Sequence, residues 1–119
     1  MDSVPPQVQN QIRMFQQTRD SLQTVALQRQ QFDLQVRELG RTIDALEKAP
    51  ADQPVYRTAG TLLLQVADRG GLKTELADQK ETIEVRLKAL ERQETSLKDR
   101  LKDLQAHLEK SLGGALPPS

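Results

Sequence analysis

The chain has 119 residues, 36% of them hydrophobic and 3% aromatic, with no Trp and only Phe15, Phe32 and Tyr56 as aromatic side chains. That is too little bulk for an enzyme-like core but enough for a two-helix seam, and 29% charged residues in heptad order is the composition of a coiled coil. Lys plus Arg and Asp plus Glu number 17 each, balanced within both halves, so the cation excess that a nucleic-acid arm needs to displace phosphate counterions is missing.

The absence of cysteine removes disulfides, thiolate metal sites and a Cys nucleophile, and leaves the redox compartment open. The opening Met1-Asp2-Ser3-Val4-Pro5-Pro6 has neither a basic n-region nor an apolar h-region. No run approaches the roughly 18 apolar residues of a membrane span. A soluble, cytoplasmic chain without a membrane segment is expected.

The first predicted helix runs over 6–48. Pro5-Pro6 suits a first helical turn, where a missing N–H is harmless, with Ser3 as a candidate cap. Its apolar row is Val8, Ile12, Phe15, Leu22, Val25, Phe32, Val36, Leu39, Ile43 and Leu46, with Arg19 and Arg29 on core-type steps. Two successive three-residue steps, Arg19 to Leu22 to Val25, predict a local stammer. Gly40 sits beside Leu39 just off the seam, where it reads as tolerated, and Ala49-Pro50 ends the helix.

A β-hairpin is predicted over 55–66, with Gly60 supplying the backbone conformation of a tight turn centred on Ala59-Gly60 or Gly60-Thr61. Either turn puts Val55, Leu62, Leu64 and Val66 on one face and Tyr56 and Leu63 on the other, among Thr58, Thr61 and Gln65. Both faces are apolar, and a lone hairpin is marginal in water with two open edges. Two outcomes fit: a sheet or barrel shared with hairpins of other subunits, or a hairpin folded back on its own helices as a cap.

Asp68-Arg69-Gly70-Gly71 reads as a turn before a second helix over 72–112, which Gly113-Gly114 stops. Its row is Leu72, Leu76, Ile83, Leu87, Leu90, Leu97, Leu101, Leu104 and Leu108, with Glu94 on a core-type step and a stutter at Gln79–Ile83–Leu87. Asp33–Arg37, Asp44–Lys48, Glu84–Lys88 and Glu94–Lys98 have the spacing of i,i+4 pairs. At 1.5 Å per residue each helix extends roughly 60–65 Å, against a radius of gyration of about 13–14 Å for a compact domain of this size. The predicted fold is therefore mainly α, one unit: a long antiparallel two-helix coiled-coil hairpin with one β-hairpin at its base and both termini at the far tip.

No catalytic constellation, nucleotide loop or metal site emerges. His107 is the only histidine, flanking Leu108, and Gly70-Gly71 lacks the spacing and the Lys of a phosphate loop. The tip is the more informative surface. Val4, Val8, Ile12, Met14 and Phe15 lie among glutamines in a stretch whose residues 3–12 carry no charge, facing Leu104, Leu108, Leu112 and Leu116. Met14 and Phe15 are adjacent and cannot both enter a two-helix seam. Such a surface either zips the end of the arm or accepts varied apolar segments weakly.

Three stretches resemble the β class of prefoldin subunits, most of all the archaeal form. They are Pro5-Pro6-Gln7-Val8-Gln9, the hairpin string Val55-Tyr56-Arg57-Thr58-Ala59-Gly60-Thr61-Leu62-Leu63, and the run from Glu81 through Arg86-Leu87-Lys88-Ala89-Leu90-Glu91-Arg92-Gln93-Glu94. A single hairpin between the helices fits the β class; the α class carries two. The resemblance implies a heterohexamer of two α and four β subunits, with hairpins joined into a β-barrel platform through positions here occupied by Val55, Tyr56, Gly60, Leu62, Leu63, Leu64 and Val66. It also implies ATP-independent holding of unfolded client proteins at the arm tips and transfer to a group II chaperonin, with no cofactor. The competing reading is a structural coiled-coil adaptor or tether for one defined partner. An RNA-binding helical arm is opposed by the zero net charge.

Overall fold

The computed structural model of the chain describes residues 4–113. The elements run α1 (Pro6–Lys48), β1 (Tyr56–Ala59), β2 (Leu62–Gln65) and α2 (Arg69–Ser111). The chain clusters into two compact units, one comprising residues 1–30 and 88–119 and the other residues 31–87.

α1 starts as the double proline dictates. The Pro5 carbonyl accepts the first helical bonds from the amides of Val8 and Gln9, both at 3.0 Å, so Pro6 takes the first helical position, where no N–H is needed. The Gln9 side chain donates to the Val4 carbonyl at 3.0 Å. Ser3, the candidate cap, lies outside the described residues.

A continuous row of half-buried and buried positions on α1 runs Gln11, Phe15, Thr18, Leu22, Val25, Arg29, Phe32, Val36, Leu39, Ile43 and Leu46, alternating four- and three-residue steps without a break. The expected stammer is therefore absent. Thr18, only 6% exposed, takes the core step, and Arg19 faces water. A row traced through apolar residues passes over a threonine, yet its small side chain is enclosed on the core step without breaking the heptad.

A similar correction applies on α2. Lys80 is half-buried and Gln79 exposed, so the doubled four-residue step falls at Leu72–Leu76–Lys80 instead of Gln79–Ile83–Leu87. Lys80 lies opposite Gly40: a methyl placed on the glycine would sit 3.9 Å from Lys80 Cε and 4.0 Å from Nζ. The end of the lysine side chain thus lies over the bare helix backbone at Gly40.

In the unit of residues 31–87 the helices are antiparallel, with Glu47 bonded to Lys73 and Gly40 beside Lys80. In the other unit Arg29 meets Glu94, and Val25 and Leu108 are buried. Of the expected i,i+4 pairs Asp33–Arg37 forms, at 3.3 Å. Glu94 bonds across the helices to Arg29 in place of Lys98, and Asp44–Lys48 and Glu84–Lys88 are not among the ion pairs of the described residues.

α2 begins at Arg69, three residues before the expected Leu72, because Asp68 caps it. Its Oδ1 accepts from the Gly71 amide at 2.9 Å and its carbonyl from the Leu72 amide at 3.1 Å. Gly70 and Gly71 thus belong to the first helical turn and do not loosen the junction. A methyl on Gly71 would lie 2.5 Å from Asp68 Oδ2, so the close approach of the cap requires glycine there. At the other end Gly113 adopts φ 63°, the left-handed conformation that terminates a helix; Gly114 lies outside the described residues.

Candidate functional site

The hairpin in the unit of residues 31–87 has its turn at Gly60-Thr61, the second of the two registers left open by the alternation. Tyr56 pairs with Gln65, Arg57 with Leu64, Thr58 with Leu63 and Ala59 with Leu62. One further bond, from the Val66 amide to the Val55 carbonyl at 2.8 Å, extends the ladder. Gly60 has φ +63° and among the described residues no non-glycine residue has a positive φ, as a two-residue turn with glycine at its first central position requires.

Directly paired residues share a face, so Val55, Leu62, Leu64 and Val66 lie on one side and Tyr56 and Leu63 on the other. Every strand residue is exposed: Tyr56 53%, Leu62 62%, Leu63 66% and Leu64 46%. The hairpin does not fold down as a cap. An open groove of about 610 Å³ separates Tyr56 and Leu63 from Leu46, Ala49, Leu72 and Leu76. Val55 and Val66 are half-buried at the strand roots.

Charged contacts hold this hairpin and the helix ends beneath it. Arg57 grips Glu75 with both guanidinium arms, Nη1 to Oε2 at 3.0 Å and Nη2 to Oε1 at 3.3 Å. The hydrogen bond, with the Arg57 charge second, draws the Glu75 carboxyl below its ordinary value, and the same bond raises the Arg57 guanidinium. Lys73 does the same to Glu47 at 2.8 Å, again with the hydrogen bond first and the charge second. Arg69 donates to three carbonyls at the end of α1: Pro50 at 2.8 Å, Ala49 at 2.9 Å and Leu46 at 3.0 Å. An arginine on the first position of its own helix is electrostatically misplaced there, but it sits at the negative end of the preceding one. That mismatch is the signal by which the sequence could have yielded this clasp; read as part of a turn, it was missed, as were Arg57 and Glu75.

In the other unit the residues singled out at the helix ends divide by burial. Leu108 is 1% exposed, the most enclosed side chain of the described residues. Val4, Val8, Ile12, Met14, Phe15, Leu104 and Leu112 are half-buried. Leu116 lies outside the described residues. Gln11 Oε1 is buried without a hydrogen-bond partner among them. Among the described residues no cluster of His, Cys, Asp and Glu could hold a metal ion, and no helix is long and apolar enough to cross a membrane.

Comparison with known proteins gives a consistent result. The family model described as "Prefoldin subunit" matches residues 9–115. The chain is 40% identical over 98 residues to the prefoldin subunit beta of Thermoplasma acidophilum, covering 82% of this chain and 79% of that one. It is 38% identical over 112 residues to that of Thermococcus kodakarensis, covering 94% and 95%. Among solved structures, the crystal structure of the prefoldin beta subunit from Thermococcus strain KS-1 matches with a TM-score of 0.82 and 38% identity, covering 99% of this chain and 100% of that one.

Proposed function

The chain belongs to the prefoldin subunit family, which makes it a chaperone component and not an enzyme, and from that premise we propose that it is the β-type subunit of an ATP-independent holdase. Its hairpin joins hairpins of partner subunits, an α-type chain among them, in a β-barrel platform. The ends of its two helices hold apolar segments of non-native proteins, which then pass to a group II chaperonin. The observation that carries the assembly step is the hairpin, with Leu62, Leu63, Leu64 and Tyr56 all about half exposed or more on its two faces. Leaving several such groups in water forfeits roughly 1.5–3 kcal/mol each, and two open strand edges invite pairing. The half-buried apolar residues at the helix ends support the holding step.

The test separates the two steps. Leu62→Asp and Leu64→Asp put a charge where the barrel would bury it, and should release subunits from the assembly formed with an α-type partner while helical content stays. Removing residues before Ile12 and after Leu108 should leave that assembly intact by sizing but abolish suppression of client aggregation, more than in proportion because several weak ends act together. ATP should change neither result. An adaptor or tether would instead lose one defined interaction and keep, or never show, holding of unrelated clients.

A further inference from the structure

Two helices alone enclose little. Among the described residues the buried hydrophobic side chains are Val25, Leu87 and Leu108, of which Leu108 alone is fully enclosed, and the rest of the apolar row is half-buried. A row in that state gains by recruiting further helices, because each would remove more apolar surface from water, and coils whose core steps are apolar form three- and four-helix assemblies as well as pairs, according to which apolar residues fill the steps. In the unit that holds the helix ends, one core step is charged on both helices. Arg29 follows Val25 on α1, and Glu94 lies between Leu90 and Leu97 on α2. Arg29 Nε stands 2.8 Å from Glu94 Oε1, and the side chains retain 27% and 12% exposure. The distance makes an ion pair, but the N–H direction misses hydrogen-bond alignment, so Nε is buried without a hydrogen-bond partner.

We propose that the Arg29–Glu94 pair restricts the coil at this level to two helices and so keeps the chain from associating with further copies of itself along its helices. In the pair of helices water still reaches part of the Arg29 side chain. A third or fourth helix laid over the seam would strip that water from a charge whose bonding to Glu94 is already incomplete, and desolvating an imperfectly satisfied ion pair is strongly unfavourable. The surrounding Val and Leu steps carry no such penalty, so this single layer decides the helix number, as a lone polar core residue does in designed coils. The inference does not depend on what the helix ends hold.

The test uses the full-length chain in two double variants, R29L/E94L and the exchanged pair R29E/E94R, with mass followed by sedimentation over a wide concentration range and helicity by circular dichroism. R29L/E94L should melt at a higher temperature than the parent and show a mass that rises with concentration beyond that of the parent assembly. R29E/E94R, which restores an ion pair on the same step, should keep the parent mass at every concentration. The proposal is overturned if R29L/E94L keeps the parent mass throughout, if the exchanged pair associates as strongly, or if the leucine variant loses helix, since apolar core steps should strengthen the coil.

Discussion

Replacing Arg69 by alanine removes one side chain and three hydrogen bonds, those to the carbonyls of Leu46, Ala49 and Pro50. A hydrogen bond involving a charged group is worth about 1.5–3 kcal/mol net when well protected from water. Here the bond to Pro50 is exposed, the other two are part-buried and share one nitrogen, and the freed carbonyls can turn to solvent. The expected loss is therefore about 1.5–3 kcal/mol for the whole set, or a fall in Tm of roughly 5–15 °C for a chain of this size. Arg69→Lys keeps the charge at the end of α1 but not the planar fork, and should recover less than half of the loss. Hydrogen exchange locates the effect: the amide of Ala49, bonded to the Ala45 carbonyl, and that of Leu72, bonded to the Asp68 carbonyl, should lose protection, while that of Leu112, bonded to Leu108, should not. If R69A and R69K both melt with the parent protein and exchange is unchanged at Ala49 and Leu72, the clasp contributes nothing and the base is held by its apolar contacts alone.

Gly40→Ala should raise stability by about 0.5–1 kcal/mol, the helix-propensity gain, because its methyl would meet Lys80 only at ordinary contact distance. Gly71→Ala should show no such gain, since its methyl displaces the Asp68 cap, worth about 0.5–2 kcal/mol; thermal melts of the two variants decide between them. Glu47 and Glu75 both titrate below their ordinary value of 4.5, so their contribution is complete above that pH and is lost as pH falls from there through the lower folded values. Melting temperature should accordingly drop in that acid range, and Glu75→Gln or Glu47→Gln should make the drop shallower; an unchanged pH profile in both variants would detach these ion pairs from stability.

The elements were legible where a local rule decides alone. The double proline, Ala49-Pro50, Gly60 and Gly113 each act through a single backbone constraint, and α1, the hairpin faces and the end of α2 follow from them. Errors arose where the outcome depends on a partner from elsewhere in the chain. Lys80 lies in the seam opposite Gly40 across the helices, and Thr18 takes a core step in a heptad set by its neighbours. Gly70-Gly71 signals a turn that takes in Asp68, and only the bond from Gly71 to the Asp68 carboxylate shows that the glycines serve the cap. Hairpin exposure was foreseeable for a simpler reason: a two-stranded ribbon with large apolar groups on both faces cannot bury both against one pair of helices.

The distribution of directional contacts bears on how the two ends of the helices can differ in behaviour. In the unit of residues 31–87, Arg57–Glu75, Lys73–Glu47, the three bonds of Arg69 and the Asp68 cap all have fixed geometry, and none can be exchanged for a passing group without loss. In the unit of residues 1–30 and 88–119 there is one ion pair between the helices among the described residues; otherwise the row is mostly apolar, with Leu108 the most enclosed, and Gln11 Oε1 is buried without a hydrogen-bond partner among them. Apolar contact is non-directional, so on the proposed function an incoming leucine or valine would replace Val8, Phe15 or Leu104 as a neighbour at little free-energy change. Helix ends held in this way open at lower free energy than a base fixed by caps and ion pairs. On the proposed function, this asymmetry would hold the hairpin in place for assembly and leave the helix ends free to exchange their own partners for those of a client chain.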